Sequence, residues 1–156
     1  MNRRNFIISG LILGTVPFTL KNVLAEEVKK VIKTDDEWRK LLTPEQYDVL
    51  REAGTEKAFS SPLYTEKRKG KYVCVACNNE IFTSEMKYDS GTGWPSFFET
   101  LPGAVETKLD FSLFYPRREY HCASCGGHHG HVFNDGPKPT GKRWCNNGVA
   151  LKFIPA

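Results

Sequence analysis

The sequence predicts a mainly β domain, small antiparallel sheets with short helices at the N-terminal end. Three observations lead there. Two threonine-led capping boxes stand close together ahead of Pro62. Beyond Pro62, short runs of β-formers alternate with turns rich in Gly, Asn and Pro. Four of the five cysteines form two Cys-x-x-Cys pairs, which could staple a small body. The totals agree. A chain of 156 residues suits one domain with a short appendage. An apolar share of 40% with 26% charged residues argues against disorder. The 13 glycines and 9 prolines favour a loop-rich body over a helical bundle.

Residues 1–25 read as an export signal rather than part of the fold. Arg3 and Arg4 open it, Phe6 to Leu20 is largely apolar, and Val23-Leu24-Ala25 offers a cleavage site. The run is short and broken by Gly10, Gly14 and Pro17, so it is not read as a membrane span. Asn2-Arg3-Arg4-Asn5-Phe6-Ile7 resembles a twin-arginine signal, with an ordinary secretory signal or an uncleaved anchor as alternatives. The expected destination is therefore the periplasm or another exported location. Arg3, Arg4 and Lys21 are the basic residues of this segment, which has no acid; 22 basic residues less these 3 leave 19 against 18 acidic ones. The overall charge of +4 thus shrinks to near neutrality, which argues against a nucleic-acid partner. Residues 26–33, charged and spaced with valine, read as a linker to a domain spanning 34–156.

Thr34 with Glu37 caps an expected helix over Asp35 to Leu42. Thr43 with Gln46, and Pro44 at the first helical position, cap a second helix that Gly54 is expected to stop. Expected strands follow at Lys71 to Ala76, Ile81-Phe82, Val105 to Leu109, Phe111 to Tyr115, His131 to Phe133 and Val149 to Phe153.

Cys74-x-x-Cys77 and Cys122-x-x-Cys125 supply four thiolates, the donor set of a closed tetrahedral zinc site. The long separation of the pairs puts the two knuckles on different hairpins. Two disulfides, or a redox-active Cys-x-x-Cys, are the alternatives in an oxidising compartment. Cys145 stands alone in Lys142-Arg143-Trp144-Cys145-Asn146-Asn147. It reads as a nucleophile: Arg143 could stabilise a thiolate, and Asn147 offers an amide to a substrate polar group. His128, His129 and His131 crowd the sequence after Cys125. With four sulfurs filling the tetrahedron, these imidazoles are free to move a proton. His129 is expected at the surface. Trp94, presented from Gly91-Thr92-Gly93-Trp94-Pro95, could line a pocket for a methyl group.

These motifs together resemble the methionine-R-sulfoxide reductases. The likeness covers nearly all of 34–156. It runs through Leu42-Thr43-Pro44-Glu45-Gln46-Tyr47, Gly54-Thr55-Glu56, Phe59-Ser60-Ser61-Pro62 and both cysteine pairs, then Ser90 through Phe97, His128 through Phe133, Asp135-Gly136-Pro137 and Arg143 through Asn147. The resemblance implies a zinc-stapled fold of two small antiparallel sheets and reduction of the R epimer of methionine sulfoxide, free or in proteins. It makes Cys145 the nucleophile and gives His128 and His131 the acid and orienting roles. Asn147, Arg143 and Asp135 complete the polar network, and Trp94 and Phe133 face the substrate. Trp144 and Gly148 depart from the residues common in relatives without changing an ionisable group.

Many relatives carry a resolving cysteine where this chain has Thr92, to which no role is assigned. A thioredoxin-like external reductant is therefore expected to regenerate Cys145. Two other classes compete: a zinc ribbon that binds nucleic acid or protein, and a thiol-disulfide oxidoreductase using one of the Cys-x-x-Cys pairs.

Overall fold

The computed structural model describes residues 28–113 and 115–156; the expected export signal lies outside them. Among the described residues no helix is long and apolar enough to cross a membrane. Both capping boxes form. Thr34 N–H donates to Glu37 Oε2 (2.7 Å) and Thr43 N–H to Gln46 Oε1 (3.0 Å), while each threonine hydroxyl accepts from the same partner's backbone. They start α1 (Asp35–Leu41) and α2 (Pro44–Glu52). The stop of α2 falls one residue early, at Ala53 in the left-handed region (φ 57°). Gly54 follows it, its N–H donating to the Asp48 carbonyl at 3.0 Å.

Nine strands follow: β1 (Gly70–Cys74), β2 (Glu80–Thr83), β3 (Lys87–Tyr88), β4 (Ser96–Phe97), β5 (Val105–Asp110), β6 (Arg117–Cys122), β7 (His128–Phe133), β8 (Arg143–Asn146) and β9 (Leu151–Pro155). They make one sheet ordered β2-β1-β9 and another ordered β3-β4-β8-β7-β6-β5, with every pairing antiparallel. The mainly β expectation holds. The core between the sheets is aromatic: Phe82 of the small sheet stacks on Phe97 of the large one at 3.8 Å, flanked by Tyr72 and Tyr120. Each such buried side chain contributes about 1.5–3 kcal/mol relative to exposure. Trp38 of α1 is fully buried too, with the Arg51 guanidinium over its ring at 5.1 Å.

Several expected elements are corrected. The described residues of the expected Phe111 to Tyr115 strand, 111–113 and 115, form no strand. Asp110 Oδ1 accepts from both the backbone and hydroxyl of Ser112 (2.9 and 2.6 Å), an Asx-type turn, and Pro116 blocks continuation. Phe111 consequently stays 71% exposed. Val149 does not open a strand: Gly148–Ala150 is a single 3-10 turn, and β9 begins at Leu151. β1 ends at Cys74 because the chain there turns into the first cysteine knuckle.

His129 is at the core rather than the surface, with no exposed area. β7 places one extra residue opposite β6, since Tyr120 pairs with Gly130 while His121 pairs with His128. That bulge at His129 redirects its ring inward. There it lies near-parallel to Tyr120, and Nδ1 sits 3.2 Å from Asn146 Oδ1, which also accepts from the Tyr120 hydroxyl at 2.7 Å. Burial pulls His129 down to about 4, so the ring is neutral in ordinary buffers.

The described part of the expected linker lies against the body. Val31 N–H donates to the Ser124 carbonyl (2.9 Å), and Lys30 reaches the Ala123 carbonyl (2.8 Å) and Glu106 (2.7 Å).

Candidate active site and metal centre

Each Cys-x-x-Cys closes as a knuckle. The residue four places after the first cysteine donates back to it: Asn78 N–H to the Cys74 carbonyl at 2.8 Å, Gly126 N–H to the Cys122 carbonyl at 2.9 Å. Both turns need a left-handed residue, supplied by Asn78 (φ 59°) and Gly126 (φ 70°). One knuckle joins β1 to β2 and the other β6 to β7, so the pair bridges the two sheets. The four sulfurs all lie within 4.8 Å of one another, with Cys74–Cys125 at 3.7 Å and Cys77–Cys122 at 3.5 Å. A tetrahedron with bonds of roughly 2.3 Å needs sulfur separations of about 3.8 Å. None of the four is in a disulfide. Asn79 Nδ2 lies 3.4 Å from Cys122 Sγ, a donor suited to a thiolate. Cys74, Cys77, Cys122 and Cys125 form a site for one structural zinc ion, and the disulfide alternative drops away.

β7 leaves the second knuckle directly and carries His128 and His131. β8 lies beside it, and the register sets His131 opposite Cys145, with Ser96 of β4 opposite Cys145 on the other side. Directly paired residues share a face with Cβ atoms about 4.5–5.5 Å apart. Gly130 makes this approach possible, since a Cβ there would stand 2.0 Å from the Cys145 carbonyl oxygen.

Cys145, His131, Trp94, Phe133, Asn147, Asn146, Gly130, Thr55 and Arg117 line a cavity of about 130 Å³. A wider cleft of about 700 Å³ beside α2 contains no cysteine or histidine. Five of the eight residues expected at the active centre thus meet at one small cavity. The other three stand behind it. Arg143 is engaged bidentately by Asp135 (2.9 and 2.8 Å), and its guanidinium stacks 4.2 Å over the Phe133 ring. Asp135 therefore acts on the cavity wall through Arg143. His128 is buried, with Nδ1 2.9 Å from Glu119 Oε1 and its ring 5.5 Å from that of His131. Burial pulls His128 below the usual histidine range against the pull of Glu119.

Asn147 holds the wall together: its Oδ1 accepts from Glu56 N–H (3.0 Å) and its Nδ2 donates to the His129 carbonyl (3.0 Å). Glu56 is the organiser that sequence reasoning passed over. Its carboxylate accepts from Gly148 and Val149 N–H (2.6 and 2.9 Å), and its carbonyl accepts from Trp94 Nε1 at 3.1 Å. Desolvation raises its carboxyl despite those two bonds. Asp110 was missed as well. Its Oδ2 lies 2.7 Å from both His131 Nε2 and Arg117 Nη2. The Ser112 hydroxyl and backbone, then His131 and Arg117, hold Asp110 well below the usual carboxylate range. The ionised form therefore persists at neutral and mildly acid pH and is lost only as pH falls far below that range. The Asp-x-Ser spacing was its one local signal.

The nearness of Arg143 does not by itself bring the Cys145 thiol down. Burial raises its thiol above the ordinary value, outweighing the opposing pull of Arg143 and a contact with the Thr92 side chain. Alkylation of Cys145 by iodoacetamide should accordingly be slow at neutral pH and rise as pH passes upward beyond the ordinary thiol range. A rate already at its plateau at pH 7 would contradict this balance.

The zinc-binding antiparallel sheets thus set a lone, half-buried thiol across from an imidazole and beside an indole. Residues 42–155 match the SelR domain family. Three similar proteins bear out the likeness. A peptide methionine sulfoxide reductase MsrB from Methanosarcina barkeri is 55% identical over 126 residues, covering 80% of this chain and 89% of its own length. One of the same description from Leptospira interrogans is 53% identical over 125 residues, covering 80% and 95%. A chloroplastic peptide methionine sulfoxide reductase B1 from Arabidopsis thaliana is 46% identical over 154 residues, covering 96% and 76%. The chain belongs to the peptide methionine-R-sulfoxide reductase family.

Proposed function

We propose that the protein is a peptide-methionine (R)-S-oxide reductase that returns methionine sulfoxide to methionine at Cys145. The supporting observation is the direct pairing of His131 with Cys145 at a cavity also lined by Trp94. A sulfoxide sulfur is electrophilic, but its oxygen leaves only once protonated. Cys145, as thiolate, attacks the sulfur while His131 delivers a proton to the oxygen. The S–O bond to methionine breaks and the oxygen ends on Cys145 as a sulfenic acid; the cysteine is oxidised by two electrons and the thioether restored. Trp94 and Phe133 receive the apolar part of the substrate. Arg143, held by Asp135, supplies a fixed positive charge behind the thiolate, and Asn147 keeps the wall in place. His128, turned to Glu119, supports the His131 side of the sheet. Zinc is structural, fixing the turn from which β7 departs.

Cys145 has no free cysteine to resolve its sulfenic acid among the described residues, since the other four are the zinc ligands. An external dithiol, thioredoxin-like, reduces it: two thiols become a disulfide and the oxygen leaves as water. Arg3, Arg4 and the apolar run after them support export by the twin-arginine route and a protein-repair role in the periplasm or another exported compartment. Mass spectrometry of the exported protein should then find Glu26 at its N-terminus; Met1 there would remove the cleaved signal.

The activity is tested by incubating the wild type with racemic methionine sulfoxide peptide and dithiothreitol. The R epimer alone should disappear. Loss of neither epimer would return the chain to a zinc-ribbon binding module.

A further inference from the structure

We infer that Asp110 is a positioning residue for this reaction, anchoring His131 through Nε2 so that Nδ1 is the nitrogen that serves the sulfoxide oxygen. This rests on the acid role given to His131 above. The carboxylate is held from several directions: Ser112 N–H and hydroxyl on Oδ1 (2.9 and 2.6 Å), Arg117 Nη2 and His131 Nε2 on Oδ2 (both 2.7 Å). A carboxylate fixed by three other donors is itself a rigid acceptor. It can therefore specify a tautomer rather than follow one. An ionised carboxylate only accepts, so the Nε2 facing it carries the hydrogen. In the neutral ring Nδ1 is then bare, and in the charged ring Nδ1 holds the transferable proton. Nδ1 has no protein partner among the described residues, and the ring lines the cavity opposite Cys145.

The anchor also explains why the end of β5 matters to a site built on β7 and β8. β6 separates β5 from β7 in the sheet, yet the Asp110 carboxylate, held by Ser112 at the end of β5, reaches the ring. Arg117, at the start of β6, touches the same carboxylate and lines the same cavity. The hairpin thus acts as a clasp on the acid rather than as a spare loop.

Nitrogen-15 spectra of His131 in the resting, zinc-loaded enzyme test this without any turnover. The neutral ring should be the Nε2–H form in the wild type. It should lose that preference in Asp110→Ala and turn to the Nδ1–H form in Asp110→Asn, where Ser112 keeps the amide oxygen at the Oδ1 position and the amide N–H₂ faces Nε2. In parallel, Asp110→Ala should lower kcat by about 10–100-fold, a part of the 10²–10⁴ that a placed acid supplies, with KM within about twofold. Asp110→Asn, which turns a donor toward Nε2, should not recover it, and all variants should keep their zinc. An Nδ1–H tautomer in the wild type, or full kcat in Asp110→Ala, would overturn the inference. His131→Ala measured alongside separates the two levels. Full single-turnover rate there overturns the acid role itself, whereas full rate in Asp110→Ala alone overturns only the positioning.

Discussion

Cys145→Ser should abolish methionine sulfoxide reduction, by about 10⁴-fold or more, while zinc content and fold stay those of the wild type. The size of the effect follows from the electron balance. Two electrons must come from the attacking atom, which must then keep the oxygen as a sulfenic acid; a serine hydroxyl can do neither. The selectivity follows from the geometry. Cys145 sits in β8, opposite His131 and Ser96, whereas the zinc sulfurs belong to the knuckles after β1 and β6. A serine in β8 leaves all four ligands in place. Residual turnover above a hundredth of wild type would hand the chemistry to one of the other thiols.

Zinc removal should be nearly as damaging, but through the fold. The ion is the covalent-like link between a three-stranded and a six-stranded sheet, with ligands from both. A structural zinc site in a peptide carries about 10–16 kcal/mol of apparent binding, which exceeds the whole stability of most domains of this size. Without the ion four buried or half-buried sulfurs lose their partner, and β7 loses the anchored turn from which it starts. A strong chelator, or Cys122→Ser, should therefore end cooperative thermal unfolding and turnover together. A chelated protein that melts cooperatively at the wild-type temperature and still reduces substrate would contradict the structural role.

What could be read in advance was what depends on near neighbours. The capping boxes of Thr34 and Thr43 close within one helical turn, and each Cys-x-x-Cys folds its knuckle locally. Cys145 stood out because it alone had no partner in the sequence. What stayed hidden depends on pairing between distant segments. β6 spells Arg-Arg-Glu-Tyr-His-Cys, with too few β-formers to stand out, and is a strand because β5 and β7 flank it. β8 is four residues with a charge at one end, ordered by β4 and β7. His129 looked like a surface residue until the bulge opposite Tyr120 turned it inward. That the Cys145 thiol is nevertheless raised, with Arg143 beside it, has a related reason. Sequence shows that a charge is close, but not that the thiol is half-buried or that the guanidinium is already given to Asp135. Glu56 and Asp110 act across 92 and 21 residues respectively, separations over which no local pattern points.

The central claim is that oxygen passes from the substrate to one particular sulfur. It is tested by mixing the enzyme with one equivalent of an R-sulfoxide peptide in the absence of any reductant, then weighing the protein and its fragments. One methionine should be released for each enzyme and one oxygen gained, on the fragment containing Cys145, with the zinc retained. Methionine formed with Cys145 unaltered, or oxygen found on Cys74, Cys77, Cys122 or Cys125 instead, would contradict it.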